Sequence, residues 1–136
     1  MTLQQFYKNL DCYVKPESVF IFDMDGTLVN SDIANFNAYS EALFPSINLA
    51  QRYIAGRITR ASLSELGVSR NMQESVISQK REIYNKYLKD TIKMPLACKI
   101  LEIVSKTNMT ILATQSEKQR AIDTLQYHNL HAKFTY

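Results

Sequence analysis

Residues 18–32 read SVFIFDMDGTLVNSD, and the rest of the chain is organised around them. They open with an unbroken apolar run, Val19-Phe20-Ile21-Phe22. A run this short and this rich in β-branched and aromatic residues is typical of a strand buried on both faces, as in a parallel sheet. Asp23 and Asp25 follow directly, and Gly26 then allows a tight turn beside a ligand. Because ligands bind at the carboxyl ends of strands in open α/β sheets, we expect these two carboxylates to do chemistry there.

The pair Asp25-Gly26 is by itself a common turn, so a strand followed by a turn is the simpler interpretation. The whole string, however, resembles the nucleophile motif of the haloacid dehalogenase superfamily, in which an apolar strand precedes D-x-D-G-T-[LV]. Here that motif is Asp23-Met24-Asp25-Gly26-Thr27-Leu28. Its position, its residue types and the strand before it all agree with the family pattern.

The composition is that of one ordinary soluble domain. The 136 residues are 46% hydrophobic and 21% charged, which suffices for a core. A net charge of +3 is too small to indicate nucleic acid, although it would not repel an anionic substrate. No stretch approaches the roughly 18 apolar residues of a membrane span, and the N-terminus lacks a signal-peptide core. We therefore expect a cytoplasmic protein with no membrane or nucleic-acid partner, and Cys12 and Cys98, which lack metal-ligand spacing, as idle thiols.

Apolar periodicity predicts helices alone over residues 31–93, inserted between two α/β segments at 1–30 and 94–136. The predicted helices cover 2–10, 31–44, 48–56, 59–66, 71–90, 95–107 and 116–128. Ser31 and Ser116 are the predicted N-caps of two of them, and Asn71 with Glu74 opens the long one in a pattern like a capping box. A second buried strand is predicted at 109–114, and a third begins at Phe134.

Thr114 is a second candidate for function, because it ends the second strand and lies just before a helix. A hydroxyl, free backbone N–H groups and the positive end of a helix dipole converge at such a place and suit a phosphate group. The alternative is that Thr114 merely helps to cap the helix. Family members carry a Thr or Ser at the end of the strand that follows the cap insertion, and Thr114 falls there.

The resemblance implies an α/β fold, a Rossmannoid parallel sheet like that of the superfamily, C-terminally incomplete and with a helical cap inserted at 31–93. The cap is similar to that of the subgroup that contains β-phosphoglucomutase and phosphoglycolate phosphatase. Within this cap, Arg57 and Arg60 lie where related caps present substrate-selecting residues, and they could clamp an anionic group. Two solvent-facing arginines are the alternative interpretation.

The chemistry that follows is phosphoryl transfer to a carboxylate. Asp23 would form an aspartyl-phosphate, and Asp25 would act as general acid and then general base. Mg²⁺ suits an all-oxygen site, and by resemblance it is held by the Asp23 side chain and the Asp25 backbone carbonyl. Thr114 and the backbone of Gln115 would hold the phosphoryl oxygens. The expected substrate is a small phosphorylated metabolite.

The chain departs from the family pattern after Thr114, because relatives carry a later Lys and a later acidic motif that completes the metal site. Lys118 and Lys133 are not at the family position, and we interpret them as solvated charges. The resemblance therefore predicts weak or no activity for this chain alone, with self-association or a complementing chain to cover the edge of the 19–22 strand. Three interpretations stay open: an enzyme completed in trans or truncated here, a shortened binding or regulatory module, and a degraded sequence without function.

Overall fold

The structure is a computed structural model, and it describes residues 3–49 and 58–135. Along these residues the elements are α1 (Leu3–Leu10), β1 (Val19–Phe22), β2 (Val29–Asn30), α2 (Asp32–Leu43), α3 (Ser62–Glu65), α4 (Arg70–Ile83), a 3₁₀ helix (Tyr84–Asp90), β3 (Ile92–Lys93), α5 (Pro95–Val104), β4 (Met109–Leu112), α6 (Lys118–Tyr127) and a second 3₁₀ helix (His131–Lys133). Of the helix predicted at 48–56, all but the first two residues lie outside the described ranges. Within the described ranges, no helix is long and apolar enough to cross a membrane.

The chain divides into two compact units. One comprises Met1–Val29 with Lys93–Tyr136, and the other comprises Asn30–Ile92. The first unit holds the parallel pair β1 and β4 together with α1, α5 and α6, whereas α2, α3 and α4 build the second. That the second unit acts as a cap stays a prediction.

The first unit is organised by the parallel pairing of β1 with β4. Phe20 lies opposite Thr110, and Phe22 lies opposite Leu112. The ladder continues one residue further, because the Ala113 N–H donates to the Phe22 carbonyl at 2.8 Å. The predicted α/β fold with a parallel sheet is confirmed. This pairing also means that the loops after both strands leave the sheet at the same edge.

The core of the first unit lies on one face of this sheet. Phe22 is only 8% exposed, and it packs with buried residues of the following loop and of α5 and α6 (Met24, Leu28, Val29, Leu101, Val104, Ala121 and Leu125). On the other face Val19 and Ile21 are 50% and 66% exposed, and the cross-strand neighbour Met109 is 43% exposed. The expectation that β1 is buried on both faces is therefore wrong. A run of four apolar residues has no polar position that would mark an exposed face.

The third strand predicted from Phe134 is absent from the described residues up to 135. The chain instead forms the 3₁₀ helix His131–Lys133, after which the Thr135 N–H donates to the Thr110 carbonyl at 2.8 Å. Thr110 bonds away from β1, because alternate residues of a strand bond to opposite sides. Phe134 packs edge-on against Phe22, with ring centroids 6.1 Å apart. The Thr110 N–H also donates to the Thr135 hydroxyl, and the Thr110 hydroxyl donates to the Lys133 carbonyl, so this segment is bonded to the outer edge of β4 at Thr110 without forming a ladder.

Two of the predicted helix starts differ in detail from those observed. Ser31 occupies the N-cap position of α2, but its side chain makes no capping bond, and its hydroxyl instead accepts a hydrogen bond from the Asn35 amide at 3.2 Å. The Asn30 side chain accepts from the Asp32 N–H at 3.0 Å in its place. The long helix starts at Arg70 after Ser69, so the predicted start at Asn71 lies inside it.

The ends of two helices follow the expected chemistry. The backbone of Gly67 has φ +79 just after α3, and that of Asn129 has φ +59 after α6. These left-handed conformations end helices and favour glycine or asparagine. A hydrogen bond from the Leu130 N–H to the Leu125 carbonyl, at 2.8 Å, holds the chain against the end of α6.

The second unit has its own core. Its largest cluster joins α2, α3 and α4 through buried residues that include Tyr39, Leu43, Leu63, Val76 and Ile77. Lys80 is only 6% exposed, and its ammonium lies 4.4 Å from the centre of the Tyr84 ring and 5.2 Å from that of Tyr39. Cation–π attraction of this kind stabilises a buried lysine stem within an aromatic environment.

Candidate active site

The loop after β1 turns tightly around the buried side chain of Met24. The N–H groups of Leu28 and Val29 both donate to the Met24 carbonyl at 3.0 Å, and the Gly26 N–H donates to the Val29 carbonyl at 2.8 Å. Gly26 has φ +84, a conformation that a side chain would strain. Met24 itself is fully buried, so the loop is anchored in the core between Asp23 and Asp25.

Asp23 lies at the exposed end of β1. Its carboxylate accepts a hydrogen bond from the Thr27 hydroxyl at 3.4 Å, which is at the long limit for such a bond. The residue is exposed, so its oxygens are accessible from solvent. Accessibility of this kind is what a nucleophilic carboxylate needs.

Asp25, two residues later, lies in a different environment. Arg120 Nη2 donates to Asp25 Oδ1 at 2.7 Å, and the Ser116 hydroxyl donates to Asp25 Oδ2 at 2.5 Å. The Arg120 and Asp25 side chains are only 18% and 10% exposed. An ion pair with so little exposure is screened far less by water than a surface pair. Both oxygens of this carboxylate are thus held from the beginning of α6.

Thr114 and Gln115 form the loop after β4, on the edge of the sheet from which the Asp23 loop also leaves. The Thr114 hydroxyl accepts a hydrogen bond from the Ser116 N–H at 3.1 Å, so Thr114 does support the local turn. A hydroxyl that accepts one bond still has its own hydrogen to donate to another acceptor. Gln115 is exposed, and α6 begins three residues further on. The N-terminal N–H groups of α6 therefore lie close in sequence to the loop of Thr114 and Gln115.

Two arginines of the predicted cap are candidates for substrate contacts. Arg57 lies outside the described residues. Arg60 is exposed in the second unit, and its carbonyl accepts a bond from the Leu63 N–H at 3.3 Å. Their proposed role stays a prediction.

The contacts of Ser116 and Arg120 with Asp25 were not predicted from the sequence, where Ser116 is interpreted as an N-cap. The N-cap position of α6 is Glu117, so the Ser116 side chain reaches Asp25 instead. One signal was present: Arg120 follows Ser116 by four residues and lies in the first turn of the helix after the strand. Helical side chains tilt towards the helix N-terminus, which directs a first-turn arginine to the end of the sheet.

A divalent cation fits the donors of this region in part. The exposed Asp23 carboxylate and the backbone carbonyl of Asp25 offer oxygen atoms, the ligand type that Mg²⁺ prefers. Within residues 3–49 and 58–135, no group of three or more His, Cys, Asp or Glu side chains could hold a metal ion. Mg²⁺ commonly keeps several waters and uses one or two carboxylates plus substrate phosphate, so two protein oxygens are compatible with it.

Solved structures share this architecture. A candidate phosphatase from Clostridium difficile superposes with a TM-score of 0.68 at 21% identity, covering 90% of this chain and 60% of that one. A candidate phosphoglycolate phosphatase from Lactobacillus plantarum gives 0.66 at 16% identity, covering 88% and 59%. A candidate β-phosphoglucomutase from Thermotoga maritima gives 0.55 at 25% identity, covering 87% and 59%. The chain thus spans about 60% of the length of the structures it matches.

The family assignment comes from the sequence match. No curated protein matches the chain. Residues 20–136, which include all of β1 but its first residue, the Asp23 loop, the second unit and Thr114, match the model of the haloacid dehalogenase-like hydrolases. This agrees with the resemblance first noted at 23–28, and the chain belongs to the haloacid dehalogenase-like hydrolase family.

Proposed function

We propose that this chain carries the nucleophile half of a Mg²⁺-dependent phosphatase or phosphotransferase that acts on a small phosphorylated metabolite through an aspartyl-phosphate. One observation carries the proposal: the in-register parallel pairing of β1 and β4. It sets the loop of Asp23 and Asp25 beside the loop of Thr114 and Gln115. The proposed nucleophile, the second carboxyl group and the turn proposed to bind phosphate then share one edge of the sheet.

Asp23 is the proposed nucleophile because it is the exposed carboxylate of the pair, held by one long bond from Thr27. Its oxygen attacks phosphorus, and the bond from phosphorus to the leaving oxygen breaks. Asp25 gives a proton to that oxygen. A water molecule, deprotonated by Asp25, then attacks the aspartyl-phosphate, which releases phosphate and restores the Asp23 carboxylate.

The phosphoryl oxygens are proposed to bind at Thr114, at the backbone N–H of Gln115 and near the first turn of α6. The Thr114 hydroxyl keeps its hydrogen for this bond while it accepts from the Ser116 N–H. The partial positive charge at the start of the ten-residue α6 favours an anion.

The cation would be held by the Asp23 side chain and the Asp25 carbonyl. When bound, Mg²⁺ neutralises phosphoryl charge and relieves the repulsion between the phosphate and Asp23. Arg60, and Arg57 beyond the described residues, are the proposed groups for a second anionic part of the substrate. Arg60 is exposed and therefore accessible for such a contact.

A second candidate is a binding module without efficient turnover, or one half of a split enzyme. One observation motivates it: the apolar side chains of Val19, Ile21 and Met109 are exposed, and a second copy or a complementing chain could cover them. Gel filtration tests self-association, and a monomer at all concentrations would contradict that part of the candidate.

The deciding experiment is hydrolysis of p-nitrophenyl phosphate with and without Mg²⁺ by the wild type, by Asp23→Asn and by Asp11→Asn. Asp11 is an exposed carboxylate of the same unit and serves as a matched control. We expect slow, Mg²⁺-dependent turnover that is lost in Asp23→Asn alone. Undiminished turnover in Asp23→Asn would contradict the mechanism, and the absence of turnover in a folded wild type would favour the binding module.

A further inference from the structure

We infer that Arg120 and Ser116 are positioning residues that hold the carboxyl group of Asp25 in one orientation. The inference rests on the proposed function, in which Asp25 transfers that proton. It concerns contacts with α6 that the motif at 23–28 does not contain.

The carboxylate of Asp25 is hydrogen-bonded at both oxygens by residues at the N-terminal end of α6. Arg120 reaches Oδ1 at 2.7 Å and Ser116 reaches Oδ2 at 2.5 Å. Ser116 lies just before Glu117, the N-cap residue, and Arg120 lies in the first turn of α6. Asp23, two residues before Asp25, has a single long bond to Thr27. The structure therefore orients one carboxylate firmly and leaves the other accessible.

Ser116 also connects Asp25 with the proposed phosphate site. Its backbone N–H donates to the Thr114 hydroxyl at 3.1 Å, while its own hydroxyl donates to Asp25 Oδ2. A shift of Ser116 would thus move Asp25 relative to Thr114. Misplacement of a catalytic group by about 1 Å can cost about 10²-fold in rate, so this connection matters for the reaction.

The hydrogen-bonding chemistry of the two partners distinguishes the two oxygens. A guanidinium group only donates, so Oδ1 cannot carry a proton towards Arg120 while their bond persists. A serine hydroxyl both donates and accepts. It can donate to Oδ2 when Asp25 is ionised, and accept from Oδ2 when Asp25 is protonated. Both partners can therefore stay bonded to Asp25 whether or not it carries a proton, so the orientation of its carboxyl group is kept while it transfers one.

The test uses the dependence of the rate on the leaving group. 2,4-Dinitrophenolate leaves without protonation, whereas phenolate needs a proton, so a defect in Asp25 lowers the rate for phenyl phosphate more. We expect kcat/KM for phenyl phosphate to fall by at least about tenfold in Arg120→Met and Ser116→Ala. For 2,4-dinitrophenyl phosphate we expect a fall of less than about threefold, because positioning of the acid is the main loss.

Three further variants make the result specific. Arg120→Lys keeps a cation and should restore part of the loss for phenyl phosphate. Ser116→Thr keeps the hydroxyl and should restore most of it. Lys106→Met removes an exposed cation of the same unit, at the opposite end of β4 from Thr114, and should leave both esters unchanged. Thermal melts identify any variant that fails to fold, and the conservative variants then decide in its place.

The inference is overturned if both esters lose rate equally, or if neither changes in folded variants, because a purely structural contact gives those results. Failure of the proposed function looks different: the wild type then hydrolyses neither ester, and the positioning role fails with it. A selective loss with phenyl phosphate, restored by Ser116→Thr, supports the inference.

Discussion

Asp23 and Asp25 leave the same strand two residues apart, yet the protein treats them differently. Asp23 is exposed and accepts one long hydrogen bond from Thr27. The Asp25 side chain is 10% exposed and is bonded at both oxygens by Arg120 and Ser116. Fully buried Met24 separates them and fixes the loop. One loop thus presents an accessible carboxylate and a firmly oriented one.

The difference suits two different tasks. A nucleophile must reach phosphorus, so exposure of its carboxylate matters more than the number of its hydrogen-bond partners. A group that transfers protons must stay in one orientation relative to the leaving oxygen. The four predictions that follow test this division, beginning with the largest expected effect.

Substitution of the accessible carboxylate should have the largest effect. Asp23→Asn should reduce turnover of every phosphate ester to the uncatalysed background, because an amide cannot form the acyl phosphate. Initial rates with p-nitrophenyl phosphate and 2,4-dinitrophenyl phosphate measure this, with Asp11→Asn as the matched control. Residual Mg²⁺-dependent turnover of either ester would remove the distinction between the two carboxylates.

Substitution of the oriented carboxylate should have a large but selective effect. Asp25→Asn should lower the rate for phenyl phosphate by about 10²–10⁴-fold, the usual contribution of a general acid or base. With 2,4-dinitrophenyl phosphate, the first release of dinitrophenolate should persist while further turnover slows. Stopped-flow absorbance separates these phases. An equal loss in both phases would show that Asp25 is also needed when Asp23 attacks phosphorus.

Thr114 should contribute less than either carboxylate to an ester with a poor leaving group. Thr114→Val removes the hydroxyl but keeps the shape, and it also frees the Ser116 N–H from its acceptor. Loss of one preorganised donor typically costs about 10²–10³-fold, and we expect the lower end, because the Gln115 N–H remains. Steady-state kinetics with phenyl phosphate measure the effect. Thr114→Ser should recover most of the rate, and failure to do so would point to a structural role for Thr114.

Thr27 should have the smallest effect of the four. Its hydroxyl lies 3.4 Å from Asp23 Oδ2, too far for a strong hydrogen bond. Thr27→Val should therefore change kcat by only about threefold. A loss comparable with that of Asp25→Asn would mean that Asp23, too, depends on a held orientation.

Much of the fold followed from local sequence. The apolar runs before Asp23 and Thr114 predicted the two parallel strands, and the Asp-Gly pair predicted the turn at Gly26, observed with φ +84. These features depend on contacts close in sequence, which a pattern can express.

The remaining features depend on contacts distant in sequence. The burial of the Ile21 side chain depends on elements that are distant in sequence, and the run of apolar residues around it does not predict that burial. The contact of Arg120 with Asp25 joins residues 95 positions apart. Serine is a residue type typical of N-caps, but the N-cap of α6 is Glu117, and the Ser116 hydroxyl donates to the Asp25 carboxylate instead. Propensity describes what a residue can do locally, and tertiary contacts decide which of these it does.

The most direct measurement of the central claim is the identification of the phosphorylated residue. Asp25→Asn is mixed with 2,4-dinitrophenyl phosphate and Mg²⁺, quenched with acid and digested, and the phosphoryl group is located by mass spectrometry. The second step needs Asp25 as base, so the intermediate should accumulate, and we expect one phosphoryl group on Asp23 that hydroxylamine removes. A phosphoryl group on Ser116 or Thr114, or release of dinitrophenolate beyond one equivalent without any labelled Asp23, would contradict the account.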